Sequence, residues 1–382
     1  MINVGIPVAA GNGWLGGLNY FKSLAYAINQ SGFQDVRLTL LTSDVAALDD
    51  CVGDCVAVKK TAGVFSTNKL VRAFNWLLRR NLPLSFYTFK HNLDIVTHFR
   101  SNSVIGVPVL FWMPDFQHKY LPEFFSISDC AARDQAVRSS STLGEILFSS
   151  VAAQNDFRTF YPDLAEVRSH VLHFAPLISA SKTPGPAVDL AQKYGLAQRF
   201  FYLPNQFWKH KNHQIVAEAL LTLPDDYVVV CTGGMEDFRD ASHVEQFKAF
   251  ISNNGLAERF IMLGLVPRTD VYALLEQCIA VINPSFFEGW STTVEEAKYS
   301  GKRLILSDLP VHREQNPDQG LFFSPVRADE LASCMKVVVS EFDPEVEACR
   351  KARADLAYPV AVKKFANDYI QIVKSCVRNN DD

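Results

Sequence analysis

The sequence lacks the features that mark membrane-spanning and secreted proteins. Its 382 residues contain no run of about eighteen apolar residues, which a membrane-spanning helix requires. The N-terminus has no charged segment followed by an apolar stretch, so we expect no signal peptide. The eight cysteines are scattered and lack the even, short spacing of a disulfide framework. This pattern favours the reducing cytoplasm as the location of the protein.

A strong charge of one sign is also missing. The net charge is −4, whereas nonspecific binding to nucleic acid requires a large basic excess, so we expect no nucleic-acid partner. The cysteines do not form close-spaced pairs near histidines, and no Asp-x-Asp cluster occurs. We therefore expect no metal site and no cofactor.

What is present is enough apolar sequence for two cores. A chain of this length, with 48% apolar residues, suits two domains of about 150–200 residues each. The stretch from His173 to Pro186 is rich in Pro, Gly and small polar residues, which is typical of a linker. We therefore predict one domain over 1–175 and a second over 185–360, with a helix over 361–377 that packs back on the first.

The second half alternates regularly between apolar strands and amphipathic helices, which indicates a parallel sheet with helices on both faces. The predicted strands are Phe200–Leu203, Tyr227–Cys231, Phe260–Leu263, Cys278–Ile282 and Lys302–Ser307. The first half repeats this pattern less regularly. Both halves are therefore predicted to be Rossmann-like α/β domains.

The most informative stretch runs from Asn283 to Glu314. It follows a buried strand and contains a loop, a short helix over Thr293–Ser300 and another strand. Two carboxylates, Glu288 in the loop and Glu296 on the helix, are separated by seven residues. Loops at the carboxyl ends of parallel strands form the ligand crevice, and a helix N-terminus there favours a diphosphate. The two carboxylates can then accept hydrogen bonds from sugar hydroxyls on either side of that diphosphate.

The residues of this stretch resemble the Glu-x7-Glu signature of the retaining GT-B glycosyltransferases, a family that includes glycogen synthases and many bacterial mannosyl- and glucosyltransferases. The resemblance rests on Phe287-Glu288-Gly289, Glu296-Ala297, Gly301 and Ser307-Asp308-Leu309-Pro310. It implies the GT-B architecture, in which two Rossmann-like, doubly wound parallel-sheet domains face a cleft. The N-terminal domain would bind the acceptor and the C-terminal domain the nucleotide-sugar donor.

The resemblance also implies roles for single residues. Glu288 would contact the donor sugar, Glu296 the ribose hydroxyls and Lys211 the diphosphate. Gln206 stands where the family usually has Arg, which leaves one cation fewer, and Lys209 or His210 could compensate. The histidine that contacts the donor sugar in similar enzymes is predicted to be His118, after the buried strand Val107–Trp112. A surface histidine with a structural role is the alternative for His118.

The remaining predicted donor contacts are glycines, main-chain groups and the start of the helix that carries Glu296. A glycine-rich loop lets the backbone approach a phosphate closely. The residues are Gly16 and Gly17 after the first strand, Gly233 and Gly234 after a later one, Leu265 in the loop that would hold the base, and Gly289, Ser291, Thr292 and Thr293 at the helix N-terminus.

The segment from Lys59 to Arg100 has eight basic residues and one acid, Asp94. Within it, 68–81 has the pattern of a basic amphipathic helix, which can lie on an anionic membrane. The alternative is a helix whose apolar face packs on the core of the domain and whose arginines are exposed to solvent, which explains the same pattern. Many enzymes that this chain resembles act on lipid-linked acceptors at the membrane face. The resemblance therefore implies a glycan or lipid-linked acceptor, at the inner face of the membrane, in the synthesis of a bacterial surface polysaccharide or glycoconjugate.

Three other functions remain open. Residues 11–16 match G-x-G-x-x-G, but the glycines do not directly follow the strand and Asp44 is too distant for a ribose-binding acid, so an NAD-dependent dehydrogenase is disfavoured. A nucleotide-sugar epimerase or hydrolase with the same fold is a second alternative. The third is an inactive nucleotide-sugar-binding protein, for which Gln206 is the indication.

Overall fold

The structure, a computed structural model, describes residues 1–9, 15–65, 75, 80–99, 104–141, 144–178, 189–196, 199–237, 240 and 242–378. The chain divides into two compact units. The first comprises Met1–Leu177 and Pro359–Asp382, and the second comprises Ile178–Tyr358. Each unit is built around its own sheet.

The first unit contains a seven-stranded sheet in the order β3-β2-β1-β4-β5-β6-β7. All neighbouring strands pair in parallel. The order reverses between β1 and β4, which is the topological switch point of this sheet. The strands are β1 Ile2–Val8, β2 Val36–Thr42, β3 Val56–Lys60, β4 Ile95–Thr97, β5 Val109–Met113, β6 Gly144–Phe148 and β7 Ser169–Val171.

The α-helices of this unit, apart from the C-terminal one, follow these strands in the chain. They are Leu15–Ser31, Leu82–Lys90, Gln117–Tyr120, Ile127–Ser141 and Val151–Phe160. The helix Val151–Phe160 begins at a serine, Ser150, whose side chain accepts a hydrogen bond from the backbone N–H of Ala153.

The second unit contains a six-stranded parallel sheet in the order β10-β9-β8-β11-β12-β13. Its switch point lies between β8 and β11. Buried apolar clusters include residues of all six strands, as expected for strands that are apolar at nearly every position. The strands are β8 Phe201–Leu203, β9 Val229–Cys231, β10 Phe260–Met262, β11 Ala280–Asn283, β12 Leu304–Ser307 and β13 Leu321–Phe323.

The helices of the second unit alternate with its strands. They are Leu190–Tyr194, His213–Leu220, His243–Asn253, Arg268–Gln277, Thr292–Tyr299, Pro310–Gln315 and Ala328–Ser340. The prediction of two doubly wound parallel-sheet domains is therefore confirmed.

The C-terminal helix differs from the prediction. The sequence pattern predicts separate helices over Glu345–Asp355 and Ala361–Val377, whereas the structure has one helix, Pro344–Arg378. Pro359 lies inside it. A proline removes one helical hydrogen bond, and here the helix continues on both sides of it. Tyr358 and Pro359 are the residues at which the two units meet in the sequence.

Two other predicted features differ from the structure or lie outside the described part of it. Gly16 and Gly17, predicted in a loop, lie in the first turn of the helix Leu15–Ser31, because that helix begins three residues earlier than predicted. Most of the predicted helix over 68–81 lies outside the described residues. Among the described residues, no helix combines the length and the apolar character that crossing a bilayer would need.

Candidate active site

The switch point of the second sheet is where a ligand is expected in an open parallel sheet. The chain leaves β8 at Pro204 and β11 at Pro284, on either side of this point. The loops that follow are joined by a backbone hydrogen bond from the N–H of Phe286 to the carbonyl oxygen of His210, 2.8 Å long. The two loops therefore form one surface at the carboxyl end of the sheet.

Lys211 and Glu288 meet at this surface, although 77 residues separate them in the chain. Lys211 Nζ donates to Glu288 Oε1 at 2.7 Å. The side chains of Lys211 and Glu288 are 14% and 9% exposed, so the ion pair is largely shielded from water. The structure thus brings together the predicted diphosphate contact and the predicted sugar contact.

Glu288 is ionised at neutral pH in this arrangement. Burial by itself would raise the pKa of Glu288, but the charge of Lys211, together with His312 and the hydroxyl of Ser285, lowers that pKa to about 2. Ser285 Oγ lies 2.7 Å from Glu288 Oε1, and Asn283 Nδ2 lies 3.4 Å from the same oxygen. The carboxylate is therefore held in one orientation.

His312 lies behind this ion pair and is fully buried. Its Nδ1 is 2.8 Å from the backbone carbonyl oxygen of Ser307, which makes Nδ1 the protonated nitrogen. Burial lowers the pKa of His312, so the ring is neutral at neutral pH. His312, Asn283 and Ser285 could not be predicted as site residues from the sequence, because their role depends on interactions with Glu288 that form only in the folded protein.

The helix Thr292–Tyr299 begins beside the same carboxylate network. Ser291 is its N-cap residue, and the Ser291 side chain accepts a hydrogen bond from the backbone N–H of Val294. Asn283 Nδ2 also donates to Ser291 Oγ at 2.8 Å, which ties the end of β11 to the helix start. Thr292 and Thr293 are the first helical residues, and Gly289 precedes them in the loop. Their backbone N–H groups provide the positive end of a helix dipole at the switch point.

Glu296 lies on this helix and pairs with Arg268. Arg268 donates to Glu296 Oε1 at 2.8 Å and to the Tyr272 hydroxyl at 2.7 Å. Burial raises the pKa of Glu296, and the adjacent guanidinium opposes that rise. Arg268 was not predicted as a site residue, because it is one of many arginines in the sequence and only the fold places it against Glu296.

Gln206 has a structural partner that an arginine could not have. The backbone N–H of Gly234 donates to Gln206 Oε1 at 2.7 Å. Arginine carries no acceptor, so it would leave this N–H group unsatisfied. The carboxamide of Gln206 therefore joins the loop after β8 to the glycine turn after β9, where Gly233 and Gly234 lie.

Gly233 allows these two loops to approach closely. Its φ is +144°, a conformation rare for residues with a side chain, and a Cβ atom at this position would lie 2.3 Å from the carbonyl oxygen of Asn205. The N–H of Gly233 donates to the carbonyl oxygen of Gly264, 2.9 Å away. The next residue, Leu265, has an exposed side chain.

Lys209, one of the two predicted substitutes for a missing cation, lies beside acidic residues. The backbone N–H of Lys209 donates to Asp237 at 2.9 Å, and its Nζ lies 3.6 Å from Asp240. His210, the other predicted substitute, is buried. Lys211 is the basic residue of this loop whose side chain pairs with Glu288.

His118, Gly16 and Gly17 lie in the first unit. His118 is buried, and its Nε2 is 3.0 Å from Asp134 Oδ1. Asp134 also accepts hydrogen bonds from Lys119 and Tyr161. Burial lowers the pKa of His118, partly offset by Asp134. His118 thus has a structural partner, and its contact with a donor sugar stays a prediction.

His98 is another buried histidine of the first unit, and no motif in the sequence points to it. It follows β4 at the switch point of the first sheet and has a positive φ of 60°. Its Nε2 is 2.8 Å from the Tyr20 hydroxyl, and its Nδ1 is 2.9 Å from Thr97 Oγ1. Burial lowers the pKa of His98 to about 3, so the ring is neutral.

Comparison with known proteins identifies relatives of both the sequence and the fold. Residues 191–353 match the family described as "Glycosyl transferases group 1". The N,N'-diacetylbacillosaminyl-diphospho-undecaprenol alpha-1,3-N-acetylgalactosaminyltransferase of Campylobacter jejuni is 25% identical over 173 residues. That match spans 44% of this chain and 43% of the relative, less than half of either.

Solved structures match over nearly the whole chain. A glycosyltransferase from Rickettsia africae superposes with a TM-score of 0.71 at 16% identity and covers 99% of both chains. Alr3699/HepE from Anabaena, in complex with UDP and glucose, has a TM-score of 0.71 at 18% identity and covers 98% of this chain and 100% of its own. At these identities the superpositions show a shared fold.

Proposed function

We propose that this chain transfers a sugar from a nucleotide-diphosphate-sugar to a hydroxyl group, because residues 191–353 match the glycosyl transferases group 1 family. The observation that carries the proposal is the contact between Lys211 and Glu288 at the switch point of the second sheet. The UDP and glucose bound by Alr3699/HepE support a nucleotide-sugar as the donor. The anomeric configuration of the sugar is retained in the proposed reaction.

Each site residue has a role in this reaction. The departing diphosphate gains negative charge, and Lys211 and the N-terminus of the helix Thr292–Tyr299 stabilise that charge. Lys211 keeps this ability while paired with Glu288, since an ammonium group has more donors than one carboxylate contact uses. Glu288 orients the donor sugar, and Glu296 accepts hydrogen bonds from the ribose. These groups supply the charge stabilisation without a divalent metal.

The donor site is tested by thermal stabilisation with a panel of nucleoside diphosphates and nucleotide-sugars. A ligand at a hundred times its dissociation constant adds about 2.7 kcal/mol to the free energy of unfolding. We expect one nucleoside diphosphate to stabilise the wild type, and Glu296→Ala to bind it at least about tenfold more weakly, because a hydrogen bond to a charged carboxylate contributes about 1.5–3 kcal/mol. Glu276→Ala removes an exposed acid from the helix of Arg268 and serves as the control.

The same proteins separate the alternatives. Release of free sugar or formation of an epimer without an acceptor would indicate a hydrolase or an epimerase. Stabilisation by a nucleotide-sugar without turnover on any acceptor would indicate a binding protein, and stabilisation by NAD alone would refute the glycosyltransferase proposal. Proton NMR of the product determines whether the anomeric configuration is retained.

We further propose that the acceptor is a glycan or lipid-linked molecule of bacterial surface polysaccharide or glycoconjugate synthesis, reached at the inner face of the membrane. The name of the Campylobacter jejuni relative includes a diphospho-undecaprenol acceptor. In the first unit, Phe86 and Phe89 are 59% and 85% exposed on the helix Leu82–Lys90. Lys90 Nζ lies 6.0 Å from the Phe86 ring centre. Exposed Phe residues beside Lys form the kind of surface that binds anionic lipid.

Removal of these two aromatic side chains is expected to weaken membrane binding. Phe86→Ser/Phe89→Ser should lower binding to anionic vesicles at low salt by about tenfold or more, since burial of one Phe contributes about 1.5–3 kcal/mol. Sedimentation with phosphatidylglycerol vesicles measures this change. Ile127→Ser removes a residue that is 91% exposed in the same unit and should bind like the wild type. If the wild type does not sediment with the vesicles, the membrane proposal is contradicted, whereas the proposal for the donor site is unaffected.

A further inference from the structure

Three potential metal ligands from distant parts of the chain converge in the first unit. They are Glu145 on β6, His170 on β7 and Cys376 near the end of the helix Pro344–Arg378. One ligand atom from each lies within 4.8 Å of the other two. In the part of the chain that the structure describes, it is the one group of three or more His, Cys, Asp or Glu residues whose ligand atoms lie this close together. The donor residues Lys211 and Glu288 belong to the second unit.

The sheet register explains why Glu145 and His170 lie together. Leu147 of β6 pairs with His170 of β7. Side chains alternate between the two faces of a sheet, so Glu145, two residues before Leu147, lies on the same face as His170 and diagonal to it. His170 Nε2 and Glu145 Oε2 are in direct hydrogen-bonding contact.

The C-terminal helix supplies the third ligand. Tyr369, Val373 and Cys376 are buried at helical spacing, which places them on the face of the helix that packs on the unit. Tyr369 Oη lies 2.8 Å from Thr97 Oγ1, next to β4. Cys376 Sγ lies 3.5 Å from Glu145 Oε2 and 4.0 Å from His170 Nε2.

The two distances from Cys376 Sγ are close to those of a tetrahedral zinc site. Zinc bonds of about 2.3 Å to sulfur and about 2.0 Å to nitrogen place these ligand atoms roughly 3.5 Å apart, and the observed sulfur–nitrogen distance is 4.0 Å. The direct contact between His170 Nε2 and Glu145 Oε2 must lengthen to roughly 3.3 Å for both atoms to bind one zinc ion, so the His170 and Glu145 side chains rotate apart when the metal binds. The carboxylate also has an orienting partner, because Arg168 donates to its other oxygen, Oε1, at 3.3 Å.

We propose that Glu145, His170 and Cys376 bind one zinc ion, with water in the fourth position. A thiolate and an imidazole favour zinc or another borderline-soft cation over Mg²⁺ and Ca²⁺, which prefer all-oxygen sites. On binding, the thiol proton and any proton shared by His170 and Glu145 are released to solvent, and the metal takes their place. The ion then joins the C-terminal helix to β6 and β7, so its role is to stabilise the first unit.

The test uses the full-length protein after treatment with a chelator. Titration with zinc sulfate by calorimetry is expected to give one ion per chain for the wild type, with an increase in Tm. Cys376→Ser should bind zinc at least about tenfold more weakly, as should His170→Gln, since even partners of metal ligands contribute 10–100-fold to affinity. Cys349→Ser removes an exposed cysteine of the same helix and should bind like the wild type.

Cobalt(II) provides a readout that needs no variant. Thiolate coordination gives an intense near-ultraviolet charge-transfer band, which we expect in the wild type and in Cys349→Ser but not in Cys376→Ser. Absence of the band from the wild type would overturn the proposal. Equal zinc affinity in the wild type and a folded Cys376→Ser would also overturn it, and would leave Glu145 and His170 as a structural ion pair.

Discussion

Lys211→Ala is expected to lower the turnover number for sugar transfer by about 10²–10³-fold, which is the usual effect of removing one group that stabilises developing negative charge. Lys211 Nζ lies 2.7 Å from Glu288 and carries the positive charge of this loop at the switch point. Its loss removes a cation from the departing diphosphate. It also leaves the largely buried carboxylate of Glu288 without its charged partner.

Steady-state kinetics with the donor identified by the ligand panel measure this effect. Lys248→Ala is the matched control, because Lys248 is a half-exposed lysine of the same unit that pairs with Glu245 on its own helix. It should change turnover less than about twofold, as expected for a surface ion pair that contributes at most about 1 kcal/mol. Full turnover by a folded Lys211→Ala would remove Lys211 from the proposed mechanism.

Gly233→Ala is expected to lower the free energy of unfolding by about 3–5 kcal/mol. The change combines backbone strain at φ +144° with a Cβ that would lie 2.3 Å from the carbonyl oxygen of Asn205. The backbone cannot move away without breaking the hydrogen bond between the N–H of Gly234 and Gln206. The variant should therefore also lose affinity for the donor.

Urea unfolding followed by circular dichroism measures the stability change, and the ligand panel measures the affinity change. Gly195→Ala is the control, because Gly195 also has a positive φ, +69°, but nothing lies within 4 Å of the added Cβ. Gly195→Ala should lower the free energy of unfolding by only about 1–2 kcal/mol, which is the strain of the left-handed conformation alone. Equal costs for the two variants would mean that the loops after β8 and β9 do not approach as closely as described.

The fold of the second unit could be predicted to a large extent because buried strands in parallel sheets are apolar at nearly every position. β8, β9, β10, β11 and β12 were predicted within a few residues of their observed bounds. β13, Leu321–Phe323, was not predicted. The prediction of two separate C-terminal helices was wrong, because the helix Pro344–Arg378 continues through Pro359.

The candidate site could be predicted only in part. The spacing of Glu288 and Glu296 is visible in the sequence because one loop and one helix carry both. In the sequence, Gln206 could be interpreted only as the loss of a cation. The hydrogen bond that its side-chain oxygen accepts from the backbone N–H of Gly234 could not be predicted, because the two residues follow different strands, β8 and β9. The roles of the site residues in catalysis stay predictions until the variants are measured.

The sequence by itself determined the local features of this protein: the apolar strands, the amphipathic helices, the glycines of the tight turns and the two carboxylates seven residues apart. Each of these depends on neighbouring residues, so a short window of sequence is sufficient to predict it. The tertiary structure alone decided which distant side chains meet. It placed Lys211 against Glu288, Arg268 against Glu296, and Cys376 beside Glu145 and His170. The physical reason is that strand order and helix packing set these contacts, and neither is encoded in the spacing of residues along the chain.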